Sequence, residues 1–196
     1  MGLYTKKAIT EAFVSLLNER PFDRISVVDI VGRCGLSRNT FYYYYDDVYA
    51  LVDELFRSET QKIIDEDVHF SSWEEGFMHA TRFARSNKKA IYHLYNSAGR
   101  PRLEQYLYDV ILRDMVAAVR HQAEGLAAGE DVIQDIAVFY ASALIGLETA
   151  WLRDGMKTDP EAYIARMGGL LSGNIRLALV RSDPRNAAGC APDGAR

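Results

Sequence analysis

Apolar residues recur along this chain with the period of a helix, and no stretch sustains the two-residue alternation of a half-buried strand. Between Lys6 and Glu19, Ile9, Phe13, Leu16 and Leu17 fall at i, i+4, i+7 and i+8, which predicts one helix with a single buried stripe. Pro21 ends it, because proline disfavours helical geometry in the residue before it. Ser26 offers an N-cap with Asp29 three residues on, and Val27, Ile30 and Val31 give that short helix an inward face. Gly35 stands where a helix end needs the left-handed conformation. Ser37 caps the next helix, which places Phe41 and Tyr45 on one face.

Longer periodic segments follow. Residues 47–65 carry Leu51, Val52, Leu55 and Phe56. Ser72 and Glu75 form a capping box that opens a helix through Phe77 and Phe83 to about Arg85. Asn87-Lys88 breaks it before a shorter aromatic helix through Ile91 and Leu94. Gly99-Arg100-Pro101 begins a helix to about Glu124, and Gly125 and Gly129 bracket the turn before Glu130–Asp154. Asp159-Pro160 reads as N-cap and first residue of a final helix reaching about Arg181. Three short helices thus precede about six longer ones. The prediction is an all-α protein with a compact unit over residues 1–46, a larger helical domain over 47–182 and a disordered tail over 183–196, where proline, glycine and polar residues concentrate.

Composition narrows the function classes. The 196 residues are 48% hydrophobic and 26% charged, ordinary for a globular protein, and the net charge is −4. That balance argues against a polycation that coats nucleic acid, but not against a module whose positive charge is local. Cys34 and Cys190 lie far apart, so a reducing compartment is expected rather than a disulfide framework. The start lacks an apolar signal core, and the uncharged run Ile136–Leu147 is short for a bilayer. A cytoplasmic protein without a membrane partner is the expectation.

The chemistry concentrates in residues 26–51. A helix lying in the major groove offers its N-terminal residues to base edges. Arg38 matches guanine O6 and N7, Asn39 matches adenine N6 and N7, and Thr40 suits a phosphate or a thymine methyl. Tyr42, Tyr43 and Tyr44 point in successive directions around one turn, so at least one faces outward, where its hydroxyl can serve a phosphate. Lys6, Lys7, Arg24 and Arg33 could add charge-assisted phosphate contacts, with Ser26 and Ser37 at the two helix starts. Lysines at a helix start are also simply solvated in many proteins, and Phe41 and Tyr45 read as core.

These segments together resemble the DNA-binding region of the TetR/AcrR family of bacterial transcriptional regulators. The likeness lies in AITEAFVSLL, the link PFDRISVVDI, the turn GRCGLS, and RNTFYYYYDD leading into Leu51. It implies a helix-turn-helix with Ser26–Arg33 as first helix and Ser37–Tyr44 as recognition helix. It also implies that the rest of the chain binds an effector and dimerises. Two departures stand out: Val48 occupies a place where family members commonly carry a phosphate-contacting lysine, and Val31 and Cys34 replace small residues. NTFYYYYDDVYAL further resembles the branch that contains regulators of dihydroxyacetone kinase operons.

In the larger domain, Glu130–Asp154 is apolar on several faces, and the last helix repeats this with glycines among its apolar residues. Leu147, Trp151, Met167, Gly169 and Leu171 are therefore the expected homodimer interface, against the simpler reading of two core helices in a monomer. Aromatic residues suggest a pocket for a small-molecule effector, with Trp73, Phe77, Phe83, Tyr92 and Tyr95 as candidates. Tyr108, Phe139 and Tyr140 extend that set, with His93 and Arg113 as polar anchors, although aromatics at helical spacing also serve as core.

Catalysis has little support. His69, His79, His93 and His121 lack metal-ligand spacing, and Glu75 and His79, four apart on one helix, have no third ligand. No nucleophile elbow or phosphate loop is present, so neither metal nor cofactor is expected. The expected function is a homodimeric, ligand-responsive repressor on a pseudo-palindromic double-stranded DNA operator. The alternative is a helical protein-interaction adaptor or co-activator whose helix-turn-helix no longer binds DNA.

Overall fold

The computed structural model describes residues 2–65, 72–171 and 173–187. Among them every regular element is helical. The elements are α1 (Gly2–Glu19), a single 3-10 turn at Phe22–Arg24, α2 (Val27–Cys34), α3 (Arg38–Tyr44) and α4 (Val48–Asp65), then α5 (Trp73–Ser86) and α6 (Lys88–Tyr95). The chain continues through α7 (Arg100–Gln122), α8 (Glu130–Arg153), α9 (Pro160–Leu171), α10 (Asn174–Ser182) and α11 (Pro184–Ala187).

Two compact units result, each built from two segments of chain. The first comprises Met1–Val68 and Phe83–Leu107. α1 packs on α2 and on α6, and α2 packs on α3. Ile9, Phe13, Leu16 and Leu17, the stripe expected on α1, are all buried, as are Ile30, Val31, Phe41 and Tyr45. Phe22 meets Phe13 and Tyr49 edge-on, with ring centroids 6.2 and 5.1 Å away. The second segment is tied back to the first by backbone groups: a ring nitrogen of His93 lies 2.6 Å from the carbonyl of Leu17, and the amide of Ala98 donates to Asp23 at 3.1 Å. Gly99 fits because a Cβ there would lie 2.3 Å from Leu94 Cδ1.

This unit therefore extends past the expected boundary at residue 46. It takes in α4, α6 and the start of α7, which sequence order had assigned to the larger domain.

The second unit comprises His69–Arg82 and Tyr108–Arg196. Its core gathers Trp73 and Phe77 with Ile111, Met115 and Val119 of α7, and Ile133, Ala137, Ala141 and Leu144 of α8. Ile164, Ile175 and Leu179 close it from α9 and α10. Among the described residues, α8 is the one helix long and apolar enough to cross a membrane by length and composition; here it is the core helix of its unit. The single final helix expected over 159–181 is instead two, because Gly173 adopts φ 77°, left-handed geometry that breaks the helical run before α10. The first residues of the expected tail, 183–187, are instead structured. Asp183 is buried, accepts the Ala127 amide at 2.9 Å and pairs with Arg185 at 2.6 Å, and Pro184–Ala187 forms α11. Residues 188–196, with Cys190, lie outside the described residues, as does His69.

Candidate functional site

Local sequence positions α3. Ser26 makes a reciprocal capping box: its hydroxyl accepts from the Asp29 amide, and the Asp29 carboxylate accepts from the Ser26 amide at 2.9 Å. The same hydroxyl donates to Asp29 at 2.5 Å, and Arg20 reaches the other carboxylate oxygen at 2.9 Å. These contacts hold the Asp29 carboxyl down at about 2, with the Ser26 hydroxyl the largest cause, its amide next and the Arg20 guanidinium third. α2 ends at Gly35, φ 68°, and the Leu36 amide returns to the Val31 carbonyl at 2.9 Å. Ser37 then caps α3, accepting from the Thr40 amide at 3.1 Å.

Phe41 and Tyr45 anchor α3 from beneath, their rings 5.6 Å apart. The opposite side projects outward. Arg38 and Asn39 are exposed, and among the described residues neither side chain has a hydrogen bond or ion pair within the chain. Tyr43 is 81% exposed and Tyr42 54%, while Tyr44 is half-buried and meets Tyr43 edge-on at 4.8 Å. Thr40 is half-buried, its hydroxyl 2.9 Å from that of Ser37. Of the residues expected to meet DNA, Arg38, Asn39, Tyr42 and Tyr43 thus form the outward surface of α3.

Others of the expected contacts are occupied by the fold itself. Ser26 and Ser37 serve as caps, and Lys6 is bound to Glu54 at 3.0 Å. Arg33, also expected near phosphates, donates to the Glu19 carboxylate and to Ser15, the latter at 2.7 Å. Arg24 is exposed. Asp47, beside the unusual Val48, accepts the Ala50 amide at 2.7 Å and so satisfies the start of α4.

The second unit contains a cavity of about 220 Å³ lined by Phe77 and Thr81 of α5, Leu147, Glu148, Ala150 and Trp151 of α8, Asp154 and Thr158 of the following turn, and Pro160 and Tyr163 of α9. Of the expected pocket residues, Phe77 is there. Trp73 belongs to the surrounding core, and Tyr108 and Tyr140 pack against it. Phe139 is 70% exposed, and Tyr92, His93 and Tyr95 sit on α6 in the first unit, where Tyr95 is buried beneath Arg100. Phe83, too, belongs to the first unit, and Arg113 is held by Asp114 at 2.7 Å. The expected set is therefore not one pocket, because helix order placed together residues that the fold sends to different units.

Two residues expected at a dimer interface, Leu147 and Trp151, line this cavity. Met167 and Leu171 pack against the core, and Gly169 remains exposed, with open space where a Cβ would be. The residue that sequence reading missed is Glu148. It is 1% exposed, neither of its carboxylate oxygens has a hydrogen-bond partner among the described residues, and burial, opposed only by the nearby Thr81 hydroxyl, pushes its carboxyl up to about 7. Among the described residues no group of three or more His, Cys, Asp or Glu is placed to hold a metal ion.

Comparison with known proteins agrees with this architecture. Residues 9–55 match the family described as bacterial regulatory proteins, tetR family, and residues 71–173 match that of a transcriptional regulator C-terminal region. The HTH-type dhaKLM operon transcriptional activator DhaS of Lactococcus lactis subsp. lactis (strain IL1403) is 26% identical over 87 residues, covering 44% of this chain. The match spans 46% of that relative's length. A solved structure of the dihydroxyacetone kinase operon activator DhaS shares the fold, with a TM-score of 0.70 at 18% identity, over 89% of this chain and 98% of that one.

Proposed function

The chain belongs to the TetR family of bacterial transcriptional regulators, and from that membership we propose that it is a homodimeric, ligand-responsive repressor that reads a pseudo-palindromic operator through α3. One observation carries the reading. Arg38 and Asn39 stand exposed at the capped start of a short helix, backed by buried Phe41 and Tyr45. In the major groove Arg38 reads guanine and Asn39 reads adenine, each with two hydrogen bonds, while the Tyr42 and Tyr43 hydroxyls grip flanking phosphates. The acidic total charge is no obstacle, since contact is made by a few exposed groups rather than a basic field.

Dimerisation supplies the second recognition helix, and half-sites then lie about one DNA turn, or a multiple of it, apart. Support comes from apolar side chains left in water: Val138 and Phe139 on α8, Leu170 on α9 and Leu177 on α10. An effector in the second unit favours a conformation whose recognition helices no longer match the half-site spacing, and affinity falls by the difference in effector binding between the two states. The Lactococcus relative is named an activator; here repression follows from a bound dimer occluding the promoter. The protein works in the cytoplasm, beside its operator.

The test is binding to duplex DNA from upstream of the protein's own gene, followed by fluorescence anisotropy at two salt concentrations. The expected result is specific, salt-dependent binding that Arg38→Ala weakens by about 1–3 kcal/mol. Absence of salt-dependent binding to any duplex would overturn the reading and favour the adaptor, for which the internal pairing of Lys6 and Arg33 is the supporting observation.

A further inference from the structure

We propose that the cavity of the second unit is a site for a small organic cation, an ammonium carried on an aromatic ring or short apolar chain, with Glu148 as its counter-ion. The inference rests on the reading of the chain as a ligand-responsive regulator and names the chemistry of its ligand.

Glu148 sits on α8 in a stretch, residues 136–152, that is otherwise uncharged; it is 1% exposed, and among the described residues both carboxylate oxygens are unpartnered. A buried carboxylate without hydrogen bonds is costly, and folded proteins pair such groups. The neighbours do not supply a partner. Thr81 gives its hydroxyl hydrogen to the Phe77 carbonyl at 2.8 Å, and Trp151 gives its indole N–H to the Thr158 carbonyl at 2.9 Å. None of the lining residues is a cation, and two, Glu148 and Asp154, are acidic. Among the described residues no cation meets this carboxylate, and above about pH 7, where it is charged, a ligand carrying a positively charged donor satisfies it best.

The walls define the rest of the ligand. Phe77, Trp151 and Tyr163 offer aromatic faces, which attract an ammonium through the ring quadrupole and pack against an apolar body. A cavity of about 220 Å³ exceeds the roughly 150 Å³ that holds benzene in a protein core. One ring with a short aminoalkyl arm fits. Besides Glu148, the titratable groups lining the cavity are Asp154, at the end of α8, and Tyr163, on α9; α5 contributes none. Glu148 takes a proton as the pH falls below about 7, so a cation binds best above that value.

Calorimetry on the full-length protein with benzylamine and its neutral counterpart benzyl alcohol tests the site. At pH 8 benzylamine should bind saturably, one per chain, and benzyl alcohol about tenfold or more weaker. Glu148→Gln should weaken benzylamine by at least about tenfold and leave benzyl alcohol nearly unchanged. The wild-type comparison of the two ligands, and of benzylamine at pH 8 and pH 5.5, holds even where the variant fails to fold. Equal affinity of the two ligands, equal affinity of wild type and Glu148→Gln for benzylamine, or no saturable binding at millimolar benzylamine would overturn the proposal. Operator binding on the same samples separates the two readings. Amine binding through Glu148 with unchanged DNA affinity supports this site and removes the ligand-responsive reading, whereas specific DNA binding without amine binding removes this site alone.

Discussion

The Lys6 ammonium lies 3.0 Å from the Glu54 carboxylate, joining α1 to α4 beside the ring of Tyr45. Each group stabilises the other's charge: the hydrogen bond raises the lysine's affinity for its proton and lowers that of the glutamate. A residue that the sequence offers to phosphates is thus engaged inside its own unit. Lys6→Ala should leave specific DNA affinity within about threefold of wild type, unlike Arg38→Ala, and should cost under about 1 kcal/mol of stability because the pair is partly solvated. Anisotropy and urea titration of the two variants check both statements.

The Ser26–Asp29 box fixes where α2 begins. Ser26→Ala should destabilise the protein by about 1 kcal/mol in urea unfolding. Because the folded Asp29 carboxyl is held at about 2, below its ordinary 3.8, its contribution is complete above about pH 4 and disappears as pH falls from 4 towards 2. An acid-unfolding midpoint that rises in Asp29→Asn would agree; an unchanged midpoint would show that other groups govern acid stability.

Glu148 predicts the opposite slope. Its folded carboxyl is raised from 4.5 to about 7 by burial, so the folded state holds the extra proton between those values. Stability should therefore decline as pH rises from about 4.5 to 7, by up to about 3 kcal/mol, and the loss should be complete above pH 7. Glu148→Gln should remove this dependence and be more stable than wild type at pH 8. Thermal unfolding of the ligand-free proteins at pH 5 and pH 8 measures it.

Exposed Phe139 and Leu170 predict the covered face of a dimer. Phe139→Asp with Leu170→Asp should halve the mass seen by sedimentation equilibrium while helix content is unchanged. A wild-type monomer, or a double variant of undiminished mass, would place the contact elsewhere.

Short-range chemistry made much of this legible in the sequence. The Ser26–Asp29 box, left-handed Gly35 and the buried pair Phe41 and Tyr45 all follow from contacts within four residues. What depends on distant packing was not legible. Nothing local tells α6 to return to α1, so helical spacing alone offers Tyr92, His93 and Tyr95 to a pocket that they do not line. A glutamate in the apolar stretch 136–152 gives no local sign of its burial, which depends on the approach of α5 and α9. The free-looking charge of Lys6 likewise acquires a partner 48 residues away.

The central claim is that α3 reads bases through Arg38 and Asn39. Selection of bound duplexes from a random-sequence pool, run in parallel with wild type, Arg38→Ala and Lys6→Ala, tests it most directly. The account predicts that wild type and Lys6→Ala enrich the same pair of inverted half-sites and that Arg38→Ala loses the preference at one position in each. Enrichment of no sequence by wild type, or of the same sequence by Arg38→Ala, would contradict it.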